Sequence, residues 1–214
     1  MLAVTIHEPA VVLTDLGLAL LGAWFARRLF AAGATGPLGH SPATLMAGLA
    51  SAALWGAVFH AFFPDDTATL AGFLAWIPVT LSIVMAAAAL LDMALRAAVR
   101  RMDQPLRLGI VGAYALAFAV TVVFVDESFT TVVRFYGPAL LLFLAAATIR
   151  ALWRGAGWGW IAMGLALSAG AALLQQFQVA VHPTYFDHNA VYHVVQAAAL
   201  VLLYLGFRRV AGTK

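Results

Sequence analysis

The sequence predicts an all-α fold: a polytopic integral membrane protein whose seven transmembrane helices form a single domain over residues 1–214, with the N-terminus outside and the C-terminus cytoplasmic. Three observations carry this. The first is composition: of 214 residues, 64% are hydrophobic and 10% charged, whereas a water-soluble domain runs at roughly 45–50% apolar and about 25% charged. The mean hydropathy is +0.95, and so little polar surface cannot cover a water-facing globule. The second is the grouping of the apolar residues into seven runs, each near the ~20 residues a helix needs to cross a bilayer. The third is the arginines, which collect at alternate ends of those runs.

The runs lie at about 9–30, 42–63, 68–94, 105–125, 129–151, 158–180 and 188–207. Ser41-Pro42 reads as an N-cap followed by proline at the first helical position, and Pro64-Asp65-Asp66 ends the second run. Pro105 and Pro183 punctuate later loops. Pro78 and Pro138 fall inside runs, where neighbouring helices satisfy the freed carbonyls and local kinks are expected. No internal repeat emerges, so an inverted-repeat transporter is not favoured.

Arg27 and Arg28 follow run 1; Arg96, Arg100, Arg101 and Arg107 follow run 3; Arg150 and Arg154 follow run 5; Arg208, Arg209 and Lys214 follow run 7. Arg134 alone lies elsewhere. Under the positive-inside rule the arginine-bearing ends are cytoplasmic. The sequence pI of about 9.7 is therefore an orientation signal, and no nucleic-acid partner is expected because the basic residues form no soluble basic face. Basic residues follow the first run and do not precede it, which argues against a cleaved signal peptide. The expected location is a plasma membrane, the bacterial inner membrane, with the bilayer as the first partner. Trp153, Trp158 and Trp160 suit an aromatic belt on the cytoplasmic side. Absent cysteine, disulfides, thiolate metal sites and a cysteine nucleophile are excluded.

The remaining polar residues sort to the opposite side. His7, Glu8, Asp65, Asp66, Asp126, Glu127, His182, Asp187 and His188 fall at the outer ends of runs, and His60 and His193 one to two turns inside. His40 is the exception, a loop residue on the arginine side. Asp15, Arg134, Gln175 and Gln176 lie at similar depth. Burying such groups in hydrocarbon costs about 2.5–3.5 kcal/mol each, so they are expected to face inward and find partners, forming a polar chamber open to the outer side. Glu8, Asp65, Asp66, Asp126 and Glu127 read as solvated interfacial charges, and Asp92 and Asp103 as ion-paired among arginines.

On run 7, Asn189, His193 and Gln196 form one stripe at 100° per residue, with His188 and Tyr192 on the neighbouring one. His188 and His193 are five apart, about 140° around an ideal helix, which is poor geometry for sharing a metal unless His188 stands in the entry turn. On run 2, Gly48, Ala52, Gly56 and His60 recur every fourth residue. That stripe reads either as close helix packing or as a slot for an acyl chain whose head reaches His60. His60, His188 and His193 are candidate metal ligands, with Asp15 a fourth ligand, a base toward a metal-bound water, or simply the partner of a histidine or of Arg134. Small residues such as Gly164 with Ser168, or Ala166 with Gly170, serve packing within or between subunits, so a homo-oligomer is among the expectations.

This arrangement resembles the superfamily of seven-helix membrane hydrolases that contains the alkaline ceramidases and the progestin and adiponectin receptors. The matching positions are His60, then Asp65 or Asp66, then His188 and His193 within Asp187-His188-Asn189-Ala190-Val191-Tyr192-His193. Two departures stand out: the span-7 pair in that superfamily is spaced HxxxH, and a serine one turn before the span-2 histidine is replaced here by Gly56. The resemblance implies a zinc-dependent hydrolase, with zinc on His60, His188 and His193. A metal-bound water, oriented or deprotonated by Asp15, would attack an amide or ester of a lipid-like substrate, with Arg134 or Tyr192 stabilising the oxyanion. Thr14-Asp15-Leu16 and Phe186-Asp187-His188-Asn189 also look like segments of an uncharacterised bacterial seven-helix family. Two other classes stay open: a b-type haem electron-transfer protein with His60 and His193 as axial ligands, and a receptor whose chamber binds a ligand without chemistry. A retinal Schiff base is excluded, since the lone lysine is Lys214.

Overall fold

The computed structural model describes residues 6–33, 36–64, 66–99, 101–182 and 185–212. Asp65, Arg100, Pro183 and Lys214 lie outside the described residues. Among the described residues the chain forms seven helices: α1 (Pro9–Ala31), α2 (Ser41–Phe62), α3 (Leu70–Ala98), α4 (Gln104–Phe124), α5 (Phe129–Arg154), α6 (Ala156–Gln176) and α7 (His188–Ala211). All seven are long and apolar enough to cross a membrane. The chain is an all-α helical bundle, as the apolar runs imply.

Helix ends follow local chemistry. Proline opens α1, α2 and α4 in the first turn, where its missing N–H costs no hydrogen bond. Thr69, Ser128 and Asp187 cap α3, α5 and α7 by accepting from Gly72, Thr131 and Ala190 N–H at 3.2, 3.3 and 2.9 Å. Gly155, at φ 87° and ψ −161°, turns the chain from α5 into α6 in one residue, a conformation open in practice to glycine alone. Ser41 departs from expectation: His40 is the residue preceding α2, and the Ser41 hydroxyl instead donates to Asp92 at 2.5 Å.

Six helices close a ring in which α1 packs on α2, α2 on α3, α3 on α5, α5 on α6, α6 on α7, and α7 back on α1. Helix α4 stands outside it, packed on α3 with little contact to α5, and buries only Phe118 and Val122. Close approach within the ring depends on small residues. A Cβ at Gly48 would stand 2.9 Å from the Ser82 carbonyl of α3, one at Gly164 2.7 Å from Leu203, and one at Gly206 2.6 Å from Ile161. Gly48 and Gly164 therefore serve packing within the subunit. Trp158 corrects the aromatic-belt expectation: it is buried in the core, having turned inward on the first turn of α6. Trp153 is 79% exposed, and Trp160 lies beneath the Arg209 guanidinium, 5.0 Å from its ring centre.

The two ends of the bundle differ in kind. One carries Arg27, Arg28, Arg96, Arg101, Arg107, Arg150, Arg154, Arg208 and Arg209. There the buried Asp92 meets Arg96 at 2.6 Å and Arg107 at 2.8 Å, tying α3 to the start of α4, while Ser41 ties it to α2. Converting Asp92 to Asn would leave two guanidiniums without their counter-charge, so D92N is expected to destabilise the bundle by about 3 kcal/mol. Thermal unfolding in detergent checks this. An unchanged midpoint would mean that the pairs are replaced by water at no cost.

Candidate functional site

The opposite end holds a cavity of about 260 Å³ inside the ring, bordered by all six ring helices. Asp15, His60, His188, Asn189, Tyr192, His193, Gln196 and Gln175 all line it, together with Phe59, Trp76 and Phe129. The one-sided polar layer legible in the sequence is thus a single site. Ala52 and Gly56 join it, so the small-residue stripe on α2 divides: Gly48 packs on α3, and the outer part lines the cavity.

His193 on α7, 8% exposed, is held at both ring nitrogens by α1. Nδ1 lies 3.1 Å from Thr14 Oγ1, and Nε2 lies 3.2 Å from Asp15 Oδ1. The Thr14 hydroxyl hydrogen is claimed by the carbonyls of Ala10 at 3.0 Å and Val11 at 2.9 Å, so its oxygen accepts from Nδ1–H. In that tautomer, assigned from the bonding pattern, it is Nε2 that faces the Asp15 carboxyl. The other carboxylate oxygen, Asp15 Oδ2, is buried with no hydrogen-bond partner. It lies where a Cβ on residue 56 would be, 3.1 Å away. Gly56 therefore makes room for Asp15, which gives the departure from serine at this position a physical reason.

The second titratable pair is Glu8 with His60. Glu8 Oε2 stands 2.5 Å from His60 Nδ1, and the other ring nitrogen of His60 has no hydrogen-bond partner among the described residues. The hydrogen bond from His60 holds the Glu8 carboxyl below its ordinary 4.5, against the opposing effect of partial burial. Glu8 sits at φ 46° and ψ 53°, left-handed and uncommon for a residue with a side chain. His7 N–H donating to the Ala61 carbonyl at 3.0 Å pins the same segment to α2. The reading of Glu8 as a solvated charge is corrected: it is the partner of His60.

Other expectations need correction too. Arg134 is exposed on α5, away from the cavity, where its charge acts on Asp126; in the second turn of α5 it presents to the outside of the ring. Gln176 is exposed while Gln175 lines the cavity, because adjacent helical positions differ by 100°. Asp126 accepts from Thr131 and Ser128, which hold its carboxyl below the ordinary range, and Asp66 accepts from Thr69. His188 opens α7 at its first residue, which brings it to the cavity beside His193 despite the five-residue spacing. Thr14 was not legible as a site residue; the signal was its adjacency to Asp15, with both facing α7.

Among the described residues no three His, Asp or Glu side chains are grouped as metal ligands would be. Both nitrogens of His193 face α1. His60 alone has the usual ligand pattern, a carboxylate behind one nitrogen and the other uncommitted.

A second chamber of about 300 Å³ adjoins the first between α3, α5, α6 and α7. Leu49, Ile83, Phe129, Gln175, Tyr192 and Gln196 border both. Beyond them its wall is almost wholly apolar and reaches Leu141 and Leu173, which are exposed on the outer surface of α5 and α6.

The Glu8–His60 pair fixes a pH dependence. Because Glu8 is held below its ordinary value in the folded chain, its contribution to stability is complete above about pH 4.5 and is lost as pH falls through the folded value. Wild type is expected to unfold at a higher temperature than E8Q at pH 7, with the two midpoints converging below about pH 4. An equal gap at both values would show that the Glu8 charge is not what binds His60.

No curated protein and no solved structure matches this chain. A family model does match, over residues 10–212, nearly the whole bundle and every cavity residue named above. The chain belongs to that family, DUF6962, a family of unknown function.

Proposed function

We propose that the protein is a membrane-embedded hydrolase that cleaves an amide or ester of a lipid-like substrate at the outer side of the membrane, by acid–base chemistry of its own side chains. The observation that carries this reading is His60: a carboxylate orients its Nδ1, its other nitrogen is uncommitted, and it borders a cavity that passes from polar to apolar. In acyl-transfer enzymes a carboxylate on Nδ1 sets the tautomer so that Nε2 takes and returns the proton. Here Glu8 stands in the carboxylate's place. His60 would draw a proton from water in the cavity as the water attacks the carbonyl carbon, then return it to the departing amine or alcohol.

Other groups fit around that step. Tyr192, on the border of both chambers, is the candidate hydrogen-bond donor to the developing oxyanion. The Asp15–His193 pair supplies a second acid–base group, and the apolar chamber takes the substrate's chain. Placement on the outer side follows from the arginines at the other end. The distant resemblance to membrane hydrolases supports the reaction class.

The test is turnover of a panel of ester- and amide-linked lipids by purified protein. H60Q and E8Q are each expected to lower kcat about 100-fold or more with the fold retained, and R134Q to leave it unchanged. Turnover should survive chelation. Full activity in H60Q would end the proposal, and activity lost to a chelator and restored by zinc would move the chemistry to a metal. A protein that binds the panel but turns over none of it would be a receptor.

A further inference from the structure

We propose that the groove between α3 and α5 at the arginine end is a binding site for an anionic phospholipid, its phosphate held by Arg150 and Arg154 and its chains lying against Ala146 and Ile149. The groove measures about 590 Å³, and Ala97, Ala98 and Trp153 complete its lining. It exists because α4 packs on α3 and leaves α5 largely uncovered. It lies at the far end of the bundle from the histidine cavity and does not depend on any chemistry there.

Charge is the first argument. Arg150 and Arg154 are one turn apart on the same face of α5. The Arg150 Nε donates to the Ala97 carbonyl at 2.8 Å, which fixes that guanidinium at the groove and leaves its terminal nitrogens for another acceptor. Neither arginine has an ion-pair partner among the described residues. Among the described residues, only the carboxylates Asp92 and Asp103 belong to this end, against every arginine except Arg134. Asp92 is already taken by Arg96 and Arg107, and Asp103 is exposed at the start of α4. Two adjacent, uncompensated guanidiniums suit a phosphate, which accepts from both.

The second argument selects a lipid over a free anion. The floor is alanine, and the groove continues along α5 into Ile149, an apolar side chain 58% exposed. Trp153, 79% exposed at the rim, places an indole at headgroup level. A ligand that satisfies both parts carries a phosphate and an apolar chain, and an uncompensated pair of cations prefers one with net negative charge.

Native mass spectrometry of the full chain in detergent, titrated with phosphatidylglycerol or phosphatidylcholine of identical chains, tests this. Wild type should retain phosphatidylglycerol in preference, and R150Q/R154Q should bind it roughly tenfold more weakly. The charge-matched double variant R27Q/R101Q, at the same end but off the groove, should bind as wild type does. W153A, with no change in charge, should also weaken binding, which covers the case in which the arginine variant misfolds. No preference in wild type, or an equal loss in R27Q/R101Q, would overturn the site. Displacement of the lipid by equimolar inorganic phosphate would show that a free anion suffices and would overturn the lipid assignment.

Discussion

The bundle closes where the His193 ring meets α1. Helices α1 and α7 are the first and last of the chain, and six helices form a ring only because these two come together. The contact is polar in a setting where polar contact has few competitors. Asp15 and His193 are both buried, so an imidazole that leaves Thr14 and Asp15 gives up its protein partners from an interior position. Holding both nitrogens of one ring from consecutive residues of one helix also fixes the rotation of α1 against α7, as a single hydrogen bond would not. The cavity depends on this: it is the interior of that ring at the end where the seam is polar.

Space for the seam comes from a third helix. Asp15 turns toward α7, and the back of its carboxylate rests against α2 at Gly56. A Cβ at that position would stand 3.1 Å from Asp15 Oδ2, so the carboxylate would have to give by a few tenths of an ångström to admit it. One turn further along α2 is His60, tied back to α1 through Glu8. Two carboxylate–imidazole pairs thus link α1 to its neighbours on either side, one to α7 and one to α2. They differ in what they leave free. His193 is engaged at both nitrogens, whereas the His60 pair engages one nitrogen and leaves the other uncommitted. Buried groups that share an environment yet differ in commitment are how one site holds a fixed part and a reactive part.

The sequence made the seven helices, the arginine end and the polar layer legible, and the reason is the solvent. In a membrane, hydropathy marks each helix almost independently of its neighbours, and charge marks the ends. The expected runs accordingly fall within a few residues of the observed helices. What hydropathy does not carry is azimuth. Gln175 and Gln176 are equally polar and equally deep, and only packing decides which one lines the cavity. Arg134 misled for the same reason: its depth was legible and its face was not. Glu8 and Thr14 were missed as partners because their meaning lies in pairs distant in sequence, Glu8 with His60 and Thr14 with His193. Of the three histidines grouped as one ligand set, the structure keeps all three at the cavity and gives each a different neighbour.

The two ends of the bundle show how unevenly polar groups are spent. At the arginine end the buried Asp92 stands against two guanidiniums and a serine, and three helices are tied by it, although its Oδ1 and the facing Arg107 Nε meet as an ion pair without hydrogen-bond geometry. At the histidine end the polar groups are more numerous, and there too a carboxylate oxygen, Asp15 Oδ2, is buried with no hydrogen-bond partner. Were stability the sole demand on these residues, the histidine end would be filled with apolar side chains, as the inner half of α7 is. A cavity lined by incompletely bonded groups raises the energy of the folded chain, and such groups persist where something other than the chain itself completes their bonding. Under the proposed function, the molecule that completes the bonding at the histidine end is the substrate.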